Sequence, residues 1–163
     1  MADAAWIDFL NADGRPLEQA LGRRLEAELA DAADPAASDT LVLFADAERL
    51  AAINAGLWTF DPASFLAHGG PGDGDPGAHP IWLDITEPEA ARSSIVVIDD
   101  REPADWQRYN RRAYLFDARD PVARDAGRAR WRALADAGHT LAYWSFDGDA
   151  WRLERRHPTA EPA

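Results

Sequence analysis

Short apolar runs alternate along the chain with longer stretches in which apolar and polar residues recur at helical spacing. AWIDFL, TLVLFA at 40–45, IWLDI, SIVVID, AYLFDA at 113–118 and TLAYWSF are rich in aliphatic, β-branched and aromatic residues. Each reads as a strand, and several are apolar enough to be covered on both faces. Between them, Pro16 opens a helix that runs towards Asp34-Pro35, and Asp46 caps a short helix through about Leu57. PADWQRYNR reads as a further helix, and Asp120-Pro121 starts one that Gly138 ends. TLAYWSF and AWRLERR flank Asp147-Gly148-Asp149, a hairpin signal. HGGPGDGDPGAHP, within residues 61–80, reads as a long surface loop, and long ordered loops are often functional.

Strand and helix alternation predicts an α/β fold with a mostly parallel sheet and a C-terminal β-hairpin as its antiparallel edge. No repeat or second domain is visible, so residues 1–156 are expected to form a single domain and 157–163 a flexible tail. A chain of 163 residues, 47% apolar with seven Trp, can bury roughly two-thirds of its unfolded surface without a staple.

Composition narrows the chemistry. There is no Cys, which removes disulfides, thiolate metal sites and cysteine nucleophiles and suits a reducing compartment. No basic segment followed by an apolar run opens the chain, and no window approaches a membrane span, so a cytoplasmic address with no membrane contact is expected. A net charge of -12 repels phosphate backbones, so contact with DNA is expected only indirectly, through other proteins. All 17 basic residues are Arg, which excludes lysine-dependent catalysis.

Catalytic signatures are incomplete. SIVVIDD places Asp99 and Asp100 after a hydrophobic strand, as a magnesium-binding Walker B segment would, yet no GxxxxGK[ST] accompanies it. An active or degenerate nucleotide-binding enzyme using Asp99, Asp100 and magnesium is the alternative reading, against acids that merely end a strand. His68, His79, His139 and His157 show no spacing that puts two on one helical face, and Ser64 is not in a nucleophile elbow, so no metal, cofactor or catalytic residue is expected.

Two patches suggest binding instead. Projected at about 100° per residue, the helix from Pro121 groups Val122, Ala126, Ala129, Ala133 and Ala137 on one side, the expected core face. Arg124, Arg128 and Arg132 form an i, i+4, i+8 row on another, with Trp131 roughly 60° from Arg128. Either this is a solvated stripe whose charges pair with neighbouring acids, or it receives an acidic peptide ending in an apolar residue and a free carboxylate. The second patch, Trp58, Phe60, Phe65 and Leu66 around Asp61-Pro62, is either a plug closing one end of the core or an aromatic docking anchor.

LWTFDPASFLAHG at 57–69 resembles the signature of the chi subunit of bacterial DNA polymerase III, in which a Trp and a Ser-Phe pair followed by His flank a turn. The DFL start, SIVVID and ARDAGRARWRALADAGHTL extend the resemblance over residues 6 to 144. It implies a three-layer α/β/α fold, like nucleotide-binding domains but without their phosphate motif, and a non-catalytic adaptor role in the clamp-loader complex. One face of that family binds the psi subunit or a competing accessory iron-sulfur helicase; the matching positions are Trp58 and Phe65 with His68. Another site binds the acidic C-terminal tail of single-stranded DNA-binding protein, SSB, which ends in Pro-Phe. Its matching positions are Arg128, Trp131 and Arg132, where the family often has Arg, Tyr and Lys or Arg. The chain departs from the family at Ala67, where Pro is common before the His, in a longer C-terminal hairpin, and in the acidic GDGDPG loop.

Overall fold

The computed structural model describes residues 6–31, 39–64, 66–89 and 92–159. Its strands are β1 (Ile7–Asn11), β2 (Thr40–Leu43), β3 (Ile81–Asp84), β4 (Ser94–Ile98), β5 (Arg111–Phe116), β6 (Leu141–Phe146) and β7 (Trp151–His157); its helices are α1 (Leu17–Asp31), α2 (Ala47–Leu57) and α3 (Pro121–Asp136). They form one sheet in the order β3-β2-β4-β5-β1-β6-β7. Neighbours from β3 to β6 are parallel, and β7 closes the edge antiparallel to β6. This is the mostly parallel α/β sheet with a terminal hairpin that the alternating pattern predicts.

The apolar runs become buried on both sides because helices cover both faces. On one, Leu17, Leu21 and Leu25 of α1 and Ile53 and Leu57 of α2 pack on Leu10, Val42, Val96 and Leu115. On the other, Leu134 of α3 joins Trp106 and Tyr109 over Phe9, Leu43, Tyr114 and Phe116. Three layers result.

Local signals place the helix ends. Asp46 Oδ1 accepts from the Arg49 amide at 2.7 Å and Asp120 Oδ1 from the Val122 amide at 3.0 Å, so each satisfies a first-turn donor. Gly138 follows α3 at φ +92, where a side chain would be strained. In the hairpin, Asp147 Oδ1 accepts from the amides of Asp149 and Ala150, each at 2.9 Å.

Two expectations fail. PADWQRYNR contains only a 3₁₀ turn, Trp106–Arg108, capped by Asp105. β5 begins three residues later, which leaves no room for a second helical turn, and Trp106 and Tyr109 serve as buried plugs on the sheet. The core face of α3 is also not the alanine side. Val122 is 78% exposed, and Ala129, Ala133 and Ala137 also face solvent. Gly127 and Leu134 are buried instead, with Trp131 packed beside them. Orienting the helix this way covers more apolar area than a row of methyl groups could, and hydrophobic gain scales with area.

β7 continues to His157; residues 160–163 of the expected tail, and residues 32–38 beyond α1, lie outside the described residues.

Candidate functional site

Gly127 brings α3 close to the sheet: a Cβ there would lie 2.9 Å from Phe116 Cε2. Further along, Trp131 stands edge-on to Phe9, with ring centroids 5.0 Å apart, and to Tyr143 at 6.1 Å. Between α3 and the β6–β7 hairpin this leaves a cleft of about 530 Å³. Phe9, Phe116, Trp131 and Tyr143 supply its apolar walls, and Arg124, Arg128 and Arg155 its charge. Glu154 is the one acid among the lining residues. A net positive cleft with an aromatic floor thus sits in a chain of net charge -12.

The arginines of α3 fall into distinct roles. Arg130, expected in neither patch, is structural: its guanidinium lies 4.1 Å over the Tyr114 ring and its Nε 3.3 Å from Glu102. Arg124 leans on Asp125 at 3.5 Å. Among the described residues Arg128 and Arg132 make no ion pair, and both are exposed. Arg124, Arg128 and Trp131 line the cleft, while Arg132 of the same row is outside its wall. The sequence reading missed Arg155, whose guanidinium carbon lies 4.9 Å over Trp131 and 5.8 Å over Tyr143. It also missed Tyr143, whose phenol burial pushes above its ordinary pKa.

The other patch divides between core and surface. Leu66 is buried, and Phe60 packs against α1, where a Cβ on Gly22 would lie 2.6 Å from its ring. Arg23 reaches over Phe60 at 5.4 Å and pairs with Asp61 at 2.9 Å, tying the turn to α1. These residues form the plug. Trp58 remains 50% exposed, its ring tilted 32° to that of His68 with centroids 4.1 Å apart. Phe65 lies outside the described residues. The following segment runs along edge strand β3: the Gly69 amide donates to Ile81 O at 3.0 Å, and Gly69 O accepts from the Leu83 amide at 2.8 Å.

His68 is buried, with Nδ1 2.7 Å from Leu66 O and Nε2 2.8 Å from the Asn54 side chain. Burial holds its pKa below the ordinary value, although the Leu66 carbonyl opposes this. The folded chain therefore keeps a neutral ring where the unfolded chain binds a proton, and stability should fall as pH drops below the unfolded value of about 6.5. In thermal melts from pH 7.5 to 5.5, His68→Gln is expected to show a flatter pH dependence than wild type; parallel curves would remove His68 from the acid response.

Asp99 and Asp100 stand at the end of β4, near where the chain turns to opposite faces of the sheet after β1 and β5, the usual ligand crevice of an open α/β sheet. Asn11 Oδ1 bridges the two departing loops, accepting from the amides of Asp13 and Ala118, each at 2.9 Å. The crevice of about 420 Å³ is lined by Asp99, Asp117, Asp120, Arg15 and Arg49. Asp99, at φ +58, accepts from Arg49 Nε at 2.8 Å, so its carboxylate is already occupied by a cation. Among the described residues no three His, Asp or Glu side chains are grouped to hold a metal. Nor is any helix there long and apolar enough to cross a membrane.

No curated protein matches the chain. The family model described as DNA polymerase III chi subunit, HolC, matches residues 7–142, from the first residue of β1 into β6. That span takes in Trp58, Arg128 and Trp131 but stops short of Tyr143 and Arg155. With most of its length and both patches of α2 and α3 inside the match, the chain belongs to the DNA polymerase III chi subunit family and is a polymerase III subunit in DNA replication.

Proposed function

We propose that the chain is a non-catalytic adaptor of the clamp-loader complex that links it to SSB by binding the acidic C-terminal tail of SSB in the α3–hairpin cleft. The observation that carries this reading is the pairing of an apolar pocket with two cations, Arg128 and Arg155, that have no ion-pair partner among the described residues. An exposed arginine stripe would need no aromatic pocket beside it, and a mere core gap would not be ringed by guanidiniums. The tail's terminal aromatic ring fits the space walled by Trp131 and Phe9. Its carboxylate meets Arg128, and the preceding acids meet Arg124 and Arg155, since guanidinium grips carboxylate in a bidentate fork. Arg132 stands outside the cleft, where it attracts the tail through solvent.

Titration of a labelled SSB tail peptide tests this. A charge-assisted contact of about 1.5–3 kcal/mol predicts that Arg128→Ala raises Kd roughly 10- to 100-fold, and wild-type affinity should fall with salt because the charges are exposed. Equal binding by both proteins would sink the assignment.

The Trp58 face is the proposed site for the psi subunit or an accessory helicase. Its support is a half-exposed indole lying against the buried His68 ring, beside a turn whose Phe60 and Leu66 pack into the core, the form a protein-binding anchor takes. Trp58→Ala should abolish recovery of the psi-side partner in a pull-down while SSB-tail binding stays unchanged. Retained partner would remove this face from the assembly.

A further inference from the structure

Among the described residues the sheet ends on β7, with no strand on its outer side, so alternate residues point backbone N–H and C=O groups away from the sheet. Along it lie Arg152, Arg155 and Arg156, all exposed and none in an ion pair among the described residues. The register places them on both faces. Arg155 opposes Tyr143 and Arg152 opposes Ser145, two residues that line the cleft, so these arginines share the α3 face. Arg156 opposes Ala142 and lies 5.3 Å over the Trp6 ring on the other face. The ladder shifts register between Tyr143 and Trp144, leaving Glu154 as the extra residue, and Glu154 and Arg155 border the cleft.

We infer that the acidic peptide held by the cleft continues along β7 as an eighth strand. This rests on the cleft reading above and extends it from a pocket to a rail. The occupant is set by charge and continuity. An added strand puts successive side chains on opposite faces, so consecutive acids would meet Arg152 and Arg155 on one side and Arg156 on the other. Arg155 belongs to both strand and cleft, so the peptide passes from one to the other without a gap. Arginines on an edge also deter pairing between copies, but that role needs neither both faces nor a contiguous pocket. Single-stranded nucleic acid would also meet these cations, though it would approach a chain of net charge -12 and gain nothing from a free β edge.

The experiment uses the full chain and a fluorescent acidic peptide about eight residues long with a C-terminal Phe. Arg152→Ala and Arg156→Ala should each raise Kd about threefold, the scale of one exposed charge pair. N-methylating the peptide at alternate residues should cost about tenfold in one phase and little in the other, because only one set of amides faces β7. If Arg128→Ala weakens binding but both arginine variants and both methylation phases are silent, the cleft stands and the rail is wrong. If Arg128→Ala is silent, the cleft reading itself fails, and the rail with it. If the arginine variants weaken binding of an oligo-dT strand and leave the peptide unaffected, the edge is a nucleic-acid surface and the inference is overturned.

Discussion

Arg24→Ala is expected to destabilise the chain by about 3 kcal/mol, the scale for leaving a buried charge unpaired. Arg24 reaches from α1 to Asp8 on β1 at 3.0 Å and to Glu28 at 3.2 Å, and Trp144 Nε1 donates to the second Asp8 oxygen at 3.0 Å. One guanidinium thus joins the helix to the centre of the sheet and, through Asp8, to β6. Burial pulls the Arg24 pKa down, and Glu28 and Asp8 outweigh it, holding the group above its ordinary value. With the cation gone, Glu28 is a buried carboxylate on α1, and among the described residues Asp8 keeps only the Trp144 indole as a donor. For a chain of this size the loss corresponds to a drop in Tm of roughly 6–12 °C. The instructive control is Arg24→Met with Asp8→Asn and Glu28→Gln, which removes the charges together. Because buried ion pairs lose in desolvation much of what they gain in attraction, this triple variant should melt above Arg24→Ala. Equal melting of the two would mean that lost packing, not uncompensated charge, sets the cost.

Trp131→Ala should weaken peptide binding on the same scale as Arg128→Ala, and it should also cost stability. The ring touches the floor of the cleft through Phe9 and one wall through Tyr143, and Arg155 rests on its face. Its removal takes away the apolar wall and the ring face on which Arg155 rests, the position proposed to meet the peptide. An anchor of this kind is worth about 2 kcal/mol or more, so Kd should rise at least about 30-fold. The same substitution opens a cavity over the sheet and should cost about 3 kcal/mol in stability, so binding must be compared below the melting range. Trp131→Tyr separates the two effects, since it keeps an aromatic wall. It should restore most of the affinity, and a tyrosine variant as weak as alanine would remove the ring from recognition.

Much of the fold was legible because its signals are local. The caps at Asp46 and Asp120, the Gly138 stop and the Asp147 turn depend on groups within a few residues, which the sequence displays directly. The doubly covered strands were legible for a related reason: continuous apolar runs can only be satisfied by helices on both faces. The pair Arg128 and Trp131 was also within reach, since three-residue spacing fixes their proximity on any helix.

What the sequence could not determine is where a helix face points once it meets the sheet. The alanine side of α3 looks apolar in isolation, but the aromatic surface of Phe9, Tyr114 and Phe116 accepts Trp131, Gly127 and Leu134 instead, and this rotation leaves Arg132 outside the cleft and Arg128 within it. Arg155 joins from a strand more than twenty residues away, across a register shift at Tyr143 and Trp144 that no count of residues from the turn reveals. Likewise, which of Trp58, Phe60 and Leu66 plug the core and which stay exposed depended on how much of that patch the α1–α2 layer had room to bury. Spacing along one element is set by covalent geometry and so belongs to the sequence; contact between elements is set by competition for buried area, which only the assembled fold resolves.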